Sequence, residues 1–531
     1  MPMKRTLSIL LACLLLTGCS RQNMTPPAEN TAATSAPSQS IEIPAQEIPY
    51  RSRFAAETRI HLSDDSILIS PPEGHKADAP ATVTRDIIYY EVRTNYDSGN
   101  HYGEGAAEER HTAEEAAAHT VINITKPGAY RVTGTLSQGQ IRVDLGEDAQ
   151  EDPDAVVELI LEDAQITCNV APAILFLIVY ECDGDRDKEN ATPEVDTSTA
   201  GANLILEGSN AVNGSHVAKI FKDKEEEKKL WKQDGAIYSY QSLNVFGPGT
   251  LELTADNEGL DTEMHLTIHG GNISIYSQND GINTNEDGVS VTTINGGKLT
   301  IFAGLGAEGD GIDSNGYLVI NGGSVFSSAK PASDAGLDSD LGSFIHGGTV
   351  IAMGSAMDWA ESDSRQVTMN LQFAQQQAAG SKITIQDPGS SESITFETEG
   401  AYARPFRGLI LSHPGFTQGA TYHVYVDDEQ MCYTGNDVGR GGPGGMGPRP
   451  NMPEGMPGEQ PEPPDGFDPA QQMNADDRKT PAGFGGEMPV PPDGFAPGPA
   501  DNASGRASVD FYMNDKVNAF SGLMVTAEAT A

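Results

Sequence analysis

The stretch from Leu266 to Gly354 repeats one pattern four times. It reads LTIHGGNISIYSQNDGINT (266–284), TTINGGKLTIFAGLGAEGDGIDS (292–314), LVINGGSVFSSAKPASDAGLDS (318–339) and SFIHGGTVIAMG (343–354). Its glycine pairs are 26, 26 and 25 residues apart, and they begin at Gly270, Gly296, Gly322 and Gly347. A looser copy, LNVFGPGTLELTADNEGLDT, begins at Leu243. A fixed period of this length predicts a solenoid.

Apolar residues alternate with polar residues around each glycine pair, as at Ile273 and Ile275 or at Leu299 and Ile301. This period of two predicts strands rather than helices. A leucine-rich repeat has a similar length, but its leucine and asparagine pattern is missing, and a propeller blade needs about 40 residues. We therefore predict an all-β fold, a parallel β-helix in which each repeat forms one coil and the coils stack about 4.8 Å apart.

Stacked coils place equivalent residues in columns. Asn295 and Asn321 both precede a glycine pair, so they are predicted to form an amide ladder. An outward column contains Tyr276 and Phe302, with Phe326 beside it. Exposed aromatic rings on a flat sheet suit stacking on sugar rings, so these three residues are candidate ligand-binding residues. The alternative is that another segment of the chain covers them.

An acidic motif recurs after each strand pair: Glu258-Gly-Leu-Asp261, Asp280-Gly-Ile-Asn283, Asp310-Gly-Ile-Asp313 and Ala335-Gly-Leu-Asp338. The central Ile or Leu is expected to point inward and the acids outward. Stacking then brings carboxylates of neighbouring coils within roughly 5 Å, where they repel each other. Calcium binds several oxygens and can bridge such carboxylates, so a calcium column is predicted. The alternative is that the motifs are turns whose acids face solvent.

The 531-residue chain carries 76 acidic and 33 basic residues, a formal net charge of −43. This acidity argues against nucleic acid as a partner. Residues 1–19 read as a signal peptide, with Lys4 and Arg5 before a short apolar run. The run ends in Leu16-Thr-Gly-Cys19, which looks like a bacterial lipobox. We expect cleavage before Cys19, lipidation of its thiol, and an extracytoplasmic protein anchored to the cell membrane.

Composition divides the remaining chain. Residues 20–57 are predicted to be a flexible stalk, 58–370 the β-helix, and 371–438 a small C-terminal antiparallel β unit. Residues 439–503 are rich in Gly, Pro and Met and are predicted to be disordered, and 504–531 return to strand character. Three cysteines outside the signal peptide, Cys168, Cys182 and Cys432, form neither a disulfide framework nor a zinc spacing.

The order of these segments resembles the bacterial carbohydrate-binding domain family, typified by a clostridial cellulose- and polygalacturonate-binding protein. The resemblance rests on VINITKPGAYRVTGTL (121–136), DGAIYSYQSLNVFGPGTLEL (234–253), the repeated glycine-pair coils, the Gly/Pro/Met-rich tail and the closing FSG (520–522). It implies a right-handed parallel β-helix similar to pectate lyases, bound calcium, and a cellulose- or uronate-type polysaccharide as partner. Carried over by position, the implied metal ligands are Asp261, Asp280, Asp310, Asp313 and Asp338.

Three functions fit these features. The first is a calcium-stabilised, non-catalytic polysaccharide-binding lipoprotein. The second is a calcium-dependent polysaccharide lyase, which needs a base beside the acidic motifs, and Lys330 is the candidate. The third is a surface adhesin or scaffold that binds protein along the side of the solenoid. The first is the function that we predict.

Overall fold

The structure is a computed structural model that describes residues 49–73, 80–89, 111–217, 233–331, 333–355, 358–390, 393–397, 402–438 and 507–526. These residues all lie within one compact unit, Ser40–Ala531. The predicted signal peptide with Cys19, most of the predicted stalk, and the 439–503 segment fall outside the described residues. No helix in the described part of the chain is long and apolar enough to cross a membrane.

Strands account for almost all of the regular structure. The first twelve strands are β1 (Glu57–Leu62), β2 (Leu68–Ser70), β3 (Ala81–Thr84), β4 (Thr120–Ile124), β5 (Gly128–Leu136), β6 (Gly139–Asp144), β7 (Val157–Thr167), β8 (Ile174–Ile178), β9 (Ala202–Glu207), β10 (Ser209–Gly214), β11 (Gly235–Ser239) and β12 (Leu243–Phe246). One helix, α1 (Ala113–Ala118), precedes β4, and a 3₁₀ turn spans Glu147–Glu151.

The repeats and their continuation form the next twelve strands. They are β13 (Thr250–Ala255), β14 (Glu258–Thr262), β15 (Leu266–Ile268), β16 (Asn272–Ser277), β17 (Ile282–Thr284), β18 (Val291–Ile294), β19 (Lys298–Phe302), β20 (Ile312–Ser314), β21 (Tyr317–Ile320), β22 (Ser324–Ser328), β23 (Gly342–Ile345) and β24 (Thr349–Gly354).

Nine strands follow the repeats. They are β25 (Thr368–Gln377), β26 (Lys382–Gln386), β27 (Ser393–Glu397), β28 (Phe406–Ser412), β29 (Thr421–Val426), β30 (Glu429–Cys432), β31 (Gly435–Val438), β32 (Phe511–Tyr512) and β33 (Val517–Val525).

Each repeat contributes one strand to the first and one to the second of three parallel stacks, and the first two repeats also contribute one strand each to the third. The first stack runs β1–β5–β7–β9–β12–β15–β18–β21–β23. The second shares the long β5 and β7 and continues β10–β13–β16–β19–β22–β24. The third runs β4–β6–β8–β11–β14–β17–β20. Three parallel stacks wound by one chain confirm the predicted all-β parallel β-helix.

The interior of the solenoid is filled by ladders of aliphatic side chains. One ladder passes from Val245 through Ile268, Ile294 and Ile320 to Ile345, and each of these residues is fully buried. The period-two alternation read from the sequence therefore marks the inward positions. Burial of one such side chain contributes about 1.5–3 kcal/mol.

The glycine pairs make the corner between the first and second stacks. The second glycine of each pair has positive φ, for example 96° at Gly271 and 81° at Gly323. Residues with a side chain rarely adopt this conformation. A Cβ on the first glycine, Gly322, would lie 2.7 Å from the carbonyl oxygen of Asn295 in the previous coil. The amide ladder predicted beside this corner is present, since Asn321 Nδ2 donates to Asn295 Oδ1 at 2.9 Å.

The N-terminal part differs from the prediction at the stalk. Tyr50 and Phe54, which lie in the predicted stalk, pack on Ile160, Ile205 and other apolar residues of the first stack. The folded part therefore begins before residue 58, because these two rings cover apolar surface that would otherwise face water.

The predicted antiparallel C-terminal unit is present. β26 pairs antiparallel with β27 and β29, and β28 lies antiparallel between β24 and β25. Its own core includes Phe373, Phe406 and Phe520. β33, from beyond the 439–503 segment, returns to pair in parallel with β25. The unit thus continues the second stack past the last repeat.

Candidate functional site

The acidic motifs form strands of the third stack, β14, β17 and β20, rather than simple turns. Their register creates two neighbouring columns of polar side chains. The first column contains Glu258, Asp280, Asp310 and Ala335. The second contains Asp261, Asn283, Asp313 and Asp338. The five predicted metal ligands thus lie together on one face, which we call the acidic double column.

Several of these side chains are buried, although each lies on the outer side of its strand. Asp261 is 0% exposed, Asn283 5% and Asp280 9%. The alternative that the motifs are turns whose acids face solvent is therefore wrong for these residues. Carboxylates withdrawn from water in this way need a compensating partner.

Burial and mutual repulsion raise the pKa values of three aspartates in the double column. Burial, followed by the charges of Asp338 and Asp310, raises the pKa of Asp313 to about 8. Burial also raises the pKa of Asp310 to about 7, with Asp338 and Asp334 adding repulsion. The pKa of Asp280 is raised by burial and then by Glu258 and Asp313. The acids of the two columns therefore act on one another as a single cluster.

Backbone N–H groups hold several of the carboxylates by one oxygen each. Asp310 N donates to Asp280 Oδ1 at 2.7 Å, and Gly309 N donates to Asp334 Oδ2 at 2.8 Å. Asp358 extends the cluster past the last repeat, because Ser339 N donates to its Oδ2 at 3.1 Å. Burial, followed by a hydrogen bond to Asp338, raises the pKa of Asp358.

Asn283 lies between Asp261 and Asp313 in the second column. Its Nδ2 donates to Glu258 Oε2 at 3.2 Å and to Asn285 Oδ1 at 3.4 Å. Its Oδ1 is buried and has no hydrogen-bond partner. An unsatisfied buried acceptor costs about 1–3 kcal/mol, and a bound cation would remove this cost.

The donors at the double column are carboxylate and amide oxygens, which suit a hard cation such as calcium. The described residues contain no group of three or more His, Cys, Asp or Glu side chains arranged to hold a metal ion.

The aromatic column predicted to bind ligand is covered by a distant segment. Tyr276 and Phe302 stack in parallel with ring centroids 5.8 Å apart. The ring of Tyr402 lies 4.9 Å from Tyr276 and 5.9 Å from Phe302, and Phe302 is only 5% exposed. Phe326 packs against the core of the C-terminal unit. The alternative of a covering segment therefore holds, because residues after the repeats fold back over this face.

Lys330, the candidate base of a lyase, contributes to the structure instead. Its Nζ donates a hydrogen bond to the carbonyl oxygen of Gly306. Its backbone carbonyl accepts from Asp334 N at 3.2 Å. The side chain is thus held to a neighbouring loop of the solenoid.

Sequence reasoning missed Asn285, whose Nδ2 donates to Asp261 Oδ1 at 2.5 Å. It lies outside the repeated four-residue motif, two positions after Asn283. The alternation along a strand, which places residues i and i+2 on one face, is the signal that could have identified it.

Comparison with known proteins identifies the family to which the chain belongs. A carbohydrate-binding domain-containing protein of Acetivibrio thermocellus is 28% identical over 155 residues, which are 29% of this chain and 44% of that protein. A solved structure, that of the polysaccharide lyase-like protein from C. thermocellum in a gadolinium derivative, is 20% identical, covers 55% of this chain and 93% of its own, and has a TM-score of 0.32. The family described as carbohydrate-binding domain-containing protein matches residues 118–399, more than half of the chain. The chain therefore belongs to the carbohydrate-binding domain-containing protein family.

Proposed function

We propose that the protein is a calcium-stabilised lipoprotein of the cell surface that binds polysaccharide without cleaving it. The observation that carries the calcium proposal is the acidic double column, with its buried carboxylates and the unpaired Oδ1 of Asn283. Membership of a carbohydrate-binding family supports polysaccharide as the partner.

Calcium would be held by oxygens of the double column. Asp261, Asp280, Asp310, Asp313 and Asp338 remain the proposed ligands, and Asn283 joins them. The ion supplies positive charge that offsets the repulsion raising the pKa values of Asp310 and Asp313. It would also bridge coils, because the proposed ligands belong to successive strands of the third stack.

The absence of catalysis is proposed from the position of Lys330. A lyase base must reach the proton beside the uronate carboxylate. The Nζ of Lys330 is instead engaged with the Gly306 carbonyl oxygen. The anchored location is proposed from the Leu16–Cys19 lipobox. Lipidation is tested by Cys19→Ala, which should move the protein from the membrane fraction to the soluble fraction.

The test of this function is retention of the full-length chain on a panel of insoluble and soluble polysaccharides, with calcium or with a chelator. Ultraviolet absorbance would monitor unsaturated uronate products. Calcium-dependent retention without such products is expected. Asp313→Asn should weaken the calcium effect, whereas Asp148→Asn, the same change at an exposed residue, should leave it intact.

Each other outcome changes a different part of the proposal. Unsaturated products would establish a lyase. An unchanged melting temperature on chelation would remove calcium from the proposal. If the protein is retained on none of the polysaccharides, the β-helix fold still stands and the function of a protein-binding scaffold is favoured.

A further inference from the structure

A cavity of about 750 Å³ lies on the first stack. Its floor is the outer side of β18, β21 and β23, and its wall is the segment Pro193–Asp196. Asp363 and Arg365, which follow the last repeat, also line it. We call this cavity the coil groove. Its volume falls within the range of about 300–1,000 Å³ that is usual for ligand sites.

The floor of the coil groove consists of side chains that lie in register from coil to coil. One row consists of Thr293, Val319 and Phe344, which are paired in register. The row beside it contains the amide ladder of Asn295 and Asn321. The groove therefore presents side chains at the strand spacing of about 4.8 Å, along a line across the strands. Such a line suits a ligand that is itself an extended polymer.

Two aromatic rings stand at the end of this floor. Tyr317 and Phe344 have ring centroids 6.1 Å apart, inclined at 48°. Both are half-buried and line the cavity, whereas Phe302 in the other aromatic column is only 5% exposed. The apolar face of a sugar ring packs on such aromatic rings, and its hydroxyls pair with amides like those of Asn295 and Asn321.

The charge of the coil groove selects against acidic sugars. Glu194, Asp196 and Asp363 supply three carboxylates against the single guanidinium of Arg365. Arg365 itself contacts Glu194 at 3.4 Å, and both side chains are largely exposed. Burial lowers the pKa of His346, the remaining ionisable group of the lining, so this ring adds no positive charge at neutral pH. A neutral glycan is therefore favoured over a uronate.

The chain itself covers the same face nearer its N-terminus. The row that ends in Thr293, Val319 and Phe344 includes Glu158 in an earlier coil, which accepts a hydrogen bond from Arg53 N at 2.7 Å. Farther along, Thr197 Oγ1 donates to Asn244 Oδ1 and also lies within hydrogen-bond distance of Thr267 Oγ1, both at 2.8 Å. Protein segments thus cover this row at Glu158, Asn244 and Thr267, and the row is open at the coil groove.

We propose that the coil groove binds a neutral polysaccharide chain, with Tyr317 and Phe344 against sugar rings and the amides of Asn295 and Asn321 on hydroxyls. This inference rests on the proposed carbohydrate-binding function and specifies where the chain binds and which charge class it takes.

The test is isothermal titration of the full-length protein, in calcium, with neutral hexasaccharides of glucose, xylose and mannose and with a galacturonate hexamer. Phe344→Ala and Tyr317→Ala should each weaken binding of a neutral hexamer about five- to tenfold. Tyr512→Ala, which removes an exposed ring from the C-terminal unit, should change it less than twofold. The galacturonate hexamer should bind at least tenfold more weakly than the best neutral hexamer.

Melting temperatures would establish that each variant is folded. Asn321→Ala, at an exposed position, provides a second variant if Phe344→Ala does not fold. If the folded groove variants bind with full affinity, the coil groove is not the binding site, although carbohydrate binding itself stands. Preferential binding of galacturonate overturns the charge argument. Failure of the unmodified protein to bind any hexamer or any polysaccharide of the retention panel overturns both proposals.

Discussion

Replacing Asn283 by aspartate places a carboxylate between Asp261 and Asp313, one strand away on either side. At a strand spacing of about 4.8 Å and an effective dielectric constant of about 20, each charged neighbour repels it by roughly 3.5 kcal/mol. The change also removes the amide N–H that Glu258 accepts. At pH 9, above the pKa of Asp313, the calcium-free variant should lose on the order of 3 kcal/mol or more of folding free energy.

For a folded unit of this size, a loss of that magnitude lowers the melting temperature by about 5 °C. In calcium, the order of the two melting temperatures should reverse, so that the variant melts above the unmodified protein. A site with one more charged oxygen binds the ion more tightly, so the calcium-induced rise in melting temperature should be larger in Asn283→Asp than in the unmodified protein. Differential scanning calorimetry at pH 9, with calcium or chelator, measures both effects.

Asn272→Asp makes the same chemical change at an exposed position of β16 and serves as the control. Equal melting temperatures for Asn283→Asp and the unmodified protein in chelator would refute the repulsion. If Asn283→Asp melts at a lower temperature than the unmodified protein in chelator and calcium does not change that difference, the crowding of carboxylates stands. The calcium column is then refuted.

Three further predictions follow from the packing. In chelator, the melting temperature should rise as the pH falls from 9 to 6. The reason is that folding raises the pKa of Asp313 to about 8 and of Asp310 to about 7, so the folded state binds more protons than the unfolded state. Calcium should make the melting temperature depend less on pH. Gly311→Ala should cost about 3 kcal/mol or more in urea unfolding, since its Cβ would lie 1.9 Å from Ser327 Oγ. Arg404→Ala should cost about 2 kcal/mol and increase dye binding, because its guanidinium donates to backbone carbonyls beside the covered aromatic column.

The repeat pattern was sufficient to predict the solenoid and its register. A period of 25–26 residues and the inward Ile and Leu positions define which residues meet across coils, and the Asn295–Asn321 ladder follows from them. Each of these contacts joins a residue of one coil to the equivalent residue of the next coil. The packing of Tyr50 on Phe246, with ring centroids 4.7 Å apart, joins segments almost 200 residues apart and leaves no periodic signal.

The candidate sites likewise contain features that the repeat predicts and features that it does not. The acidic double column could be predicted because its members recur at one position of the repeat. The covering of Phe302 by Tyr402 could not, because alternation reveals which face a residue takes but not what lies over that face. The coil groove depends on the Pro193–Asp196 segment, which comes from a polar loop with no repeat character. Its floor residues differ in type from coil to coil and therefore form no motif.

A strand that runs against the direction of the coils lies at one end of each of the three stacks. β2 lies antiparallel on β1, β3 lies antiparallel on β4, and β28 lies antiparallel on β24. A stack of parallel coils would otherwise present a terminal edge onto which the first coil of another molecule could add, and repetition of that step would produce fibres. Reversed end strands do not match an incoming coil. The protein can therefore keep a long, regular and highly acidic repeat surface while remaining a particle of fixed length.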